Sequence, residues 1–168
     1  MQSVYGVALC LVACVACDLF DVDGGSKGGA SAAGKVGASA AGKVGDTLRV
    51  ENFDVLIHAT EDPYVPAEGK AKTAHRMLAF DVELQHAGGD ENLKYSGGKW
   101  HLYDTEGHAF EAIVLDNRTK EPRLTEGFVT PGNKARGWVT FEVPTAAGLD
   151  RVEFFTGYVS GHTASFKL

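Results

Sequence analysis

The feature that most constrains this chain is a strict two-residue alternation. In residues 78–84, Leu78, Phe80, Val82 and Leu84 alternate with Ala79, Asp81 and Glu83. Successive side chains of an extended strand point to opposite faces, so the pattern predicts a strand with one face in a core and the other in water. It recurs at Val139, Phe141 and Val143, where Pro144 stops it because proline has no N–H to offer a ladder. Val50, Phe53, Val55 and Ile57 predict a strand pair, or one long bulged strand, over 47–60. Trp100 and Leu102 predict a short strand ending in the turn Asp104-Thr105-Glu106-Gly107, with His108 to Leu115 as the returning strand. Val152 to Thr156 follows the turn Gly148-Leu149-Asp150, and Phe166 and Leu168 mark a closing edge. No long window between Asp46 and Leu168 shows a helical period. Roughly seven short strands punctuated by glycine and proline predict an all-β fold, an antiparallel β-sandwich over 46–168. That region has no cysteine, so the sandwich lacks an intersheet disulfide and must be held by apolar burial.

The first 45 residues differ in kind. Cys10, Cys14 and Cys17 are the chain's three cysteines, and they lie in an uncharged run from Val4 to Cys17. That run is shorter than the roughly 20 apolar residues a bilayer span needs, but it has the length of a signal-peptide core. Leu11-Val12-Ala13-Cys14 resembles the bacterial lipobox, in which the cysteine is lipidated and becomes the new N-terminus. Cys14 is the expected lipidation site. Cys17, preceded by Ala16, is the alternative. The n-region Met1-Gln2-Ser3 departs from the usual pattern because it has no Lys or Arg.

Residues 18–45 are first acidic and then rich in Gly, Ala, Ser and Lys. Gly-Ala-Ser-Ala-Ala-Gly-Lys-Val occurs twice in succession, at 29–36 and 37–44. With no aromatic residue and little to bury, the stretch cannot offset its conformational entropy and is expected to be a flexible linker.

Several motifs of the third region carry a family likeness. They are Gly45-Asp46-Thr47-Leu48, the long strand after Gly69, Leu102-Tyr103-Asp104-Thr105-Glu106-Gly107-His108, and Thr130-Pro131-Gly132 followed by Gly137-Trp138-Val139-Thr140-Phe141-Glu142-Val143-Pro144. Together they resemble the telokin-like family of domains of unknown function. The resemblance covers nearly all of 45–168 and implies an immunoglobulin-like module of a bacterial lipoprotein or secreted protein. It brings no catalytic activity and no cofactor. Gln85-His86-Ala87-Gly88 departs from the Asn and Gly that such domains place after the long strand, so the local turn is expected to differ.

Charge and residue chemistry narrow the function further. With 22 acidic residues against 16 Lys and Arg, the formal net charge is -6, which argues against a nucleic-acid partner. No serine sits in a nucleophile-elbow context and the only cysteines are at the anchor, so a non-catalytic protein is expected. Asp104 with Glu106 reads as a plain turn. Six histidines, His58, His75, His86, His101, His108 and His162, match no zinc spacing. His101 and His108 flank one hairpin and are the weak candidates for a metal.

The expected function is binding of an envelope protein or cell-wall component by a module tethered to the membrane, or secreted. Trp138 is out of phase with Val139, Phe141 and Val143, so it is expected on the outer face of its strand as a contact anchor. Tyr64, in Pro63-Tyr64-Val65-Pro66, and Arg118, Lys120 and Arg123, in the basic loop 117–123, complete the candidate binding set. The alternatives are a metal carrier using surface histidines and a spacer or surface antigen with no specific ligand.

Overall fold

A computed structural model describes residues 39–157 and 161–168. They form eleven strands, and the only helical element among them is a single 3-10 turn at Gly97–Lys99. One sheet has the order β1 (Ala40–Lys43), β11 (Thr163–Lys167), β10 (Leu149–Phe155), β6 (Trp100–Asp104) and β7 (Ala109–Glu111). The other has β2 (Thr47–Val50), β3 (Phe53–Tyr64), β4 (His75–His86) and β9 (Lys134–Pro144). β5 (Leu93–Ser96) pairs with β8 (Glu126–Val129) as a separate ribbon. The all-β sandwich expected from the alternation is the fold, with the immunoglobulin-like layout that the family resemblance implies.

The core lies between the two large sheets. Leu78, Phe80, Val82 and Leu84 of β4, with Val139, Phe141 and Val143 of β9, meet Trp100, Leu102, Val152, Phe154, Ala164 and Phe166 of the facing sheet. Phe53 and Phe154 join the layers edge to face, with centroids 5.5 Å apart. Phe80 and Phe141 make a similar pair within one sheet at 5.7 Å. Fully burying side chains of this size contributes on the order of 2 kcal/mol each, which is how the fold holds without a disulfide.

Local turn chemistry explains the joints. β2 and β3 are a tight pair separated by Glu51 and Asn52, with Glu51 at φ 50. β3 is also bulged, its register with β4 shifting between Ile57 and Ala59, so both expected forms of 47–60 occur together. Gly107 takes φ 88 in the hairpin joining β6 to β7. The returning strand is shorter than expected, ending at Glu111, because the chain then leaves for the other sheet, where Ile113 donates its N–H to the Thr140 carbonyl at 2.8 Å.

Three expectations need correction. Ala40–Lys43 falls within the stretch read as flexible linker, yet it pairs in parallel with β11, so the domain begins before Asp46. Its small side chains suit close packing: a Cβ on Gly42 would lie 2.8 Å from a Leu48 methyl. No strand is expected between Leu84 and Trp100, yet residues 93–96 form β5. Gly97 follows it because a Cβ there would collide with the Leu124 carbonyl oxygen at 2.3 Å. Finally, the face of β4 expected to be wet is covered: Ala79, Asp81 and Glu83 are all buried.

Candidate functional site

The cover over that second face comes from residues 113–124. They bond to the edge of β9 that β4 leaves open: besides Ile113, Leu124 donates to the Trp138 carbonyl at 2.9 Å, and Trp138 donates to that of Pro122 at 2.8 Å. Gly137 permits the contact, since a Cβ there would stand 2.7 Å from the Leu124 nitrogen and 2.9 Å from the Pro122 oxygen. Between these two attachments the chain folds over the sheet as a strap. Lys120 donates its backbone N–H to Thr140 Oγ1 at 3.1 Å, and Thr119 is buried.

The strap brings three of the five candidate binding residues together. Lys120 Nζ sits 3.9 Å from the Trp138 ring centroid and 5.6 Å from that of Tyr64, and it is ion-paired with Glu61. Trp138 is on the outer face as expected, but it is half-buried beneath the lysine. Burial also pushes the Tyr64 hydroxyl pKa up, with Lys120 opposing the shift. Arg118 is equally engaged: it chelates Asp116 and reaches Glu142 at 3.1 Å and the Lys70 carbonyl at 3.2 Å. Burial raises the Glu142 carboxyl, but hydrogen bonds from Lys72 and the charges of Arg118 and Lys72 more than offset it and hold the group below the usual range. Arg123 lies at the border, paired with Glu121. The basic loop is therefore a folded-down cover whose cations already have partners.

The end of the sandwich beside the strap presents apolar side chains. Val65 is 80% exposed and Leu115 is 88% exposed. Their loops are tied together by Asn117 to Glu68 at 3.3 Å and by Arg118 to Lys70. Pro63, Tyr64, Val65, Pro66 and Met77 line a groove of about 260 Å³ at the same end.

The hairpin places the metal candidates differently from expectation. The register puts His101 opposite Glu111, so His101 packs on Phe155, with ring centroids 4.9 Å apart, and is not brought to His108. His108 instead faces Asp104 at 3.0 Å and Glu106 at 3.7 Å. One ligand atom from each of Asp104, Glu106 and His108 lies within 4.8 Å of the others, the only such group among the described residues. The hydrogen bond that His108 donates to the Asp104 carboxylate, then that carboxylate's charge, raises the His108 pKa. Burial works against the Asp104 carboxylate, but N–H groups of His108 and Glu106 and the imidazole hold its pKa below the usual value. The signal was present in sequence as an acidic, acidic, histidine series at every second residue around a hairpin turn. A groove of about 460 Å³ between this turn and Pro144 to Gly148 adjoins the group.

Cys14 and Cys17 lie outside the described residues. No helix among the described residues is long and apolar enough to cross a membrane.

Two packed sheets, antiparallel except where β1 joins β11, define an immunoglobulin-like β-sandwich module. The chain belongs to the family Domain of unknown function (DUF4352), whose model matches residues 42–164. That match begins inside β1, in accord with the corrected domain start.

Solved structures of low identity share the fold. YjhA of Bacillus subtilis is 15% identical with a TM-score of 0.57, covering 75% of this chain and 98% of its own. YcdA of Bacillus subtilis, named as a candidate lipoprotein, is 14% identical with a TM-score of 0.58, covering 75% of this chain and 38% of its own. The secreted protein MPT63 of Mycobacterium tuberculosis is 11% identical with a TM-score of 0.58, covering 77% and 98%. No curated protein matches the chain.

Proposed function

We propose that this is an extracytoplasmic, non-catalytic binding module, tethered by a lipid on Cys14 with Cys17 as the alternative, that docks a protein of the cell envelope through its Val65 and Leu115 end. The observation that carries the reading is the pair of large apolar side chains, 80% and 88% exposed, on two loops fastened to each other. Such a surface is ordered before a partner arrives, which lowers the entropy lost on docking. Trp138, Tyr64, Lys120 and Arg118 serve as positioning residues that hold the strap and its loop, and Arg123 borders the surface. The naming of YcdA as a candidate lipoprotein and of MPT63 as secreted supports the location.

The test places a photo-crosslinking residue at 65 or 115, and at the exposed Glu106 as a control, in the full chain in its own cells. One defined adduct from positions 65 and 115, lost in the Val65→Ser/Leu115→Ser variant and missing from position 106, is expected. Equal adducts from all three positions overturn the reading. Mass spectrometry of the mature N-terminus tests the tether. Lipid lost in Cys14→Ala supports Cys14, lipid retained in that variant assigns Cys17, and no lipid on the unaltered chain overturns the anchor.

The group Asp104, Glu106 and His108 favours a second reading, a divalent-cation site. Two carboxylates and one imidazole suit zinc or manganese. Calorimetric titration with each ion should give one site that disappears in His108→Asn, and no heat from either ion removes this reading.

A further inference from the structure

The duplicated octapeptide is half built into the domain. The second copy, 37–44, supplies β1, paired in parallel with β11 in the register Ala40 to Ala164 through Lys43 to Lys167. The first copy, 29–36, lies outside the described residues and is identical at every position, and the identity extends one residue further, from Gly37 to Gly45. Whatever the β11 edge recognises in one copy, the other therefore carries.

What it recognises is visible. Ser39 Oγ accepts the Thr163 N–H at 3.1 Å. Gly42 lies where a Cβ would come within 2.8 Å of Leu48, and Ala40 packs against the core. Ser31, Ala32 and Gly34 stand at the matching places of the first copy. Only the turn that follows distinguishes them. Asp46, which the first copy lacks, donates its N–H to the Lys43 carbonyl at 3.0 Å and accepts the Lys43 N–H on Oδ2 at 2.8 Å.

We propose that the outer edge of β11 is an acceptor slot for the peptide Gly-Ala-Ser-Ala-Ala-Gly-Lys-Val, and that either copy fills it, so one chain exchanges between two registers eight residues apart. Register is weakly specified in a Gly-rich strand with little apolar face, which is the condition here. The register seen is the major one. With the first copy in the slot, the loop between β1 and β2 grows from three residues to eleven, and loop closure alone disfavours this by roughly sevenfold. The tether on the N-terminal side shortens by the same eight residues, a root-mean-square span of about 16 Å for Gly-rich chain. The consequence for height above a membrane rests on the lipid anchor proposed above, while the exchange itself does not.

The test compares Gly42→Pro with Gly34→Pro/Gly42→Pro in the full chain, reading amide hydrogen exchange at Ala164 to Lys167. Proline removes the N–H and adds the Cβ that the slot excludes. Gly34→Pro alone should match the unaltered chain. Gly42→Pro should keep measurable protection on the β1 side of β11, reduced about sevenfold, because the first copy replaces the second, and the double variant should lose it. Equal loss in Gly42→Pro and the double variant, including unfolding of both, overturns the proposal. Protection in Gly42→Pro that depends on protein concentration also overturns it, since copies from neighbouring chains would then be filling the slot.

Discussion

The two faces of β4 are both buried, but by opposite chemistry. The inner face is covered by apolar side chains from three strands of the facing sheet. On the outer face Asp81 is clamped by Arg136 at 2.6 Å and Glu83 by Lys134 at 3.1 Å, while the strap covers the sheet beside them. Apolar cover is non-directional, so many neighbouring side chains share it and each loss leaves a cavity. Polar cover depends on a few aimed contacts, each partly exposed to water and modest in net effect. The inner face should therefore dominate stability, and the outer face should decide which surface is presented.

Phe141→Ala tests the inner face most severely. The ring is fully buried against Phe80, and its loss should cost about 3–5 kcal/mol by chemical denaturation. Gly137→Ala tests the strap's attachment. Its Cβ meets backbone atoms of Pro122, Arg123 and Leu124 that must shift, and a loss of about 1–3 kcal/mol is expected. A cost as large as that of Phe141→Ala would break the contrast between the faces. Lys120→Ala removes the cation over Trp138 and should cost about 1 kcal/mol or less, with a change in tryptophan emission as the ring is uncovered. Unchanged emission would show that Lys120 does not shield the ring.

The smallest effect is at the hairpin, away from both faces. Because Asp104 raises the His108 pKa, the charged imidazole stabilises the fold fully below its unfolded value of about 6.5, and this is lost as pH rises through the higher folded value. The lowered Asp104 carboxyl contributes above its unfolded value of about 3.9, and this is lost as pH falls through the lower folded value. The pair is thus complete between about pH 4 and 6.5. An NMR titration should place the His108 midpoint above 6.5 and move it down in Asp104→Asn.

The same contrast explains what could be read from sequence. The alternation at 78–84 and 139–143 announced its strands because apolar burial imprints a local period. Gly107 announced its hairpin for an equally local reason, its positive φ. The strap could not be seen in this way. Arg118 and Lys120 look like solvated loop cations until the fold supplies Glu142 and Glu61 from distant strands. His101 and His108 looked like neighbours because their separation depended on a register that the turn alone did not specify. β1 is the extreme case: its sequence also occurs eight residues earlier, and only the presence of β11 beside it makes Ala40–Lys43 a strand.

The pairing of β1 with β11 also bears on the order of assembly. β11 lies between β1 and β10, so the sheet has a gap until residues 163–167 have been synthesised. A contact that joins residues 40–43 to residues 164–167 is among the most non-local this chain can make, and such contacts slow folding. A growing chain therefore cannot complete this sheet from its N-terminal part alone. The sheet closes only once residues 163–167 are available to sit between β1 and β10.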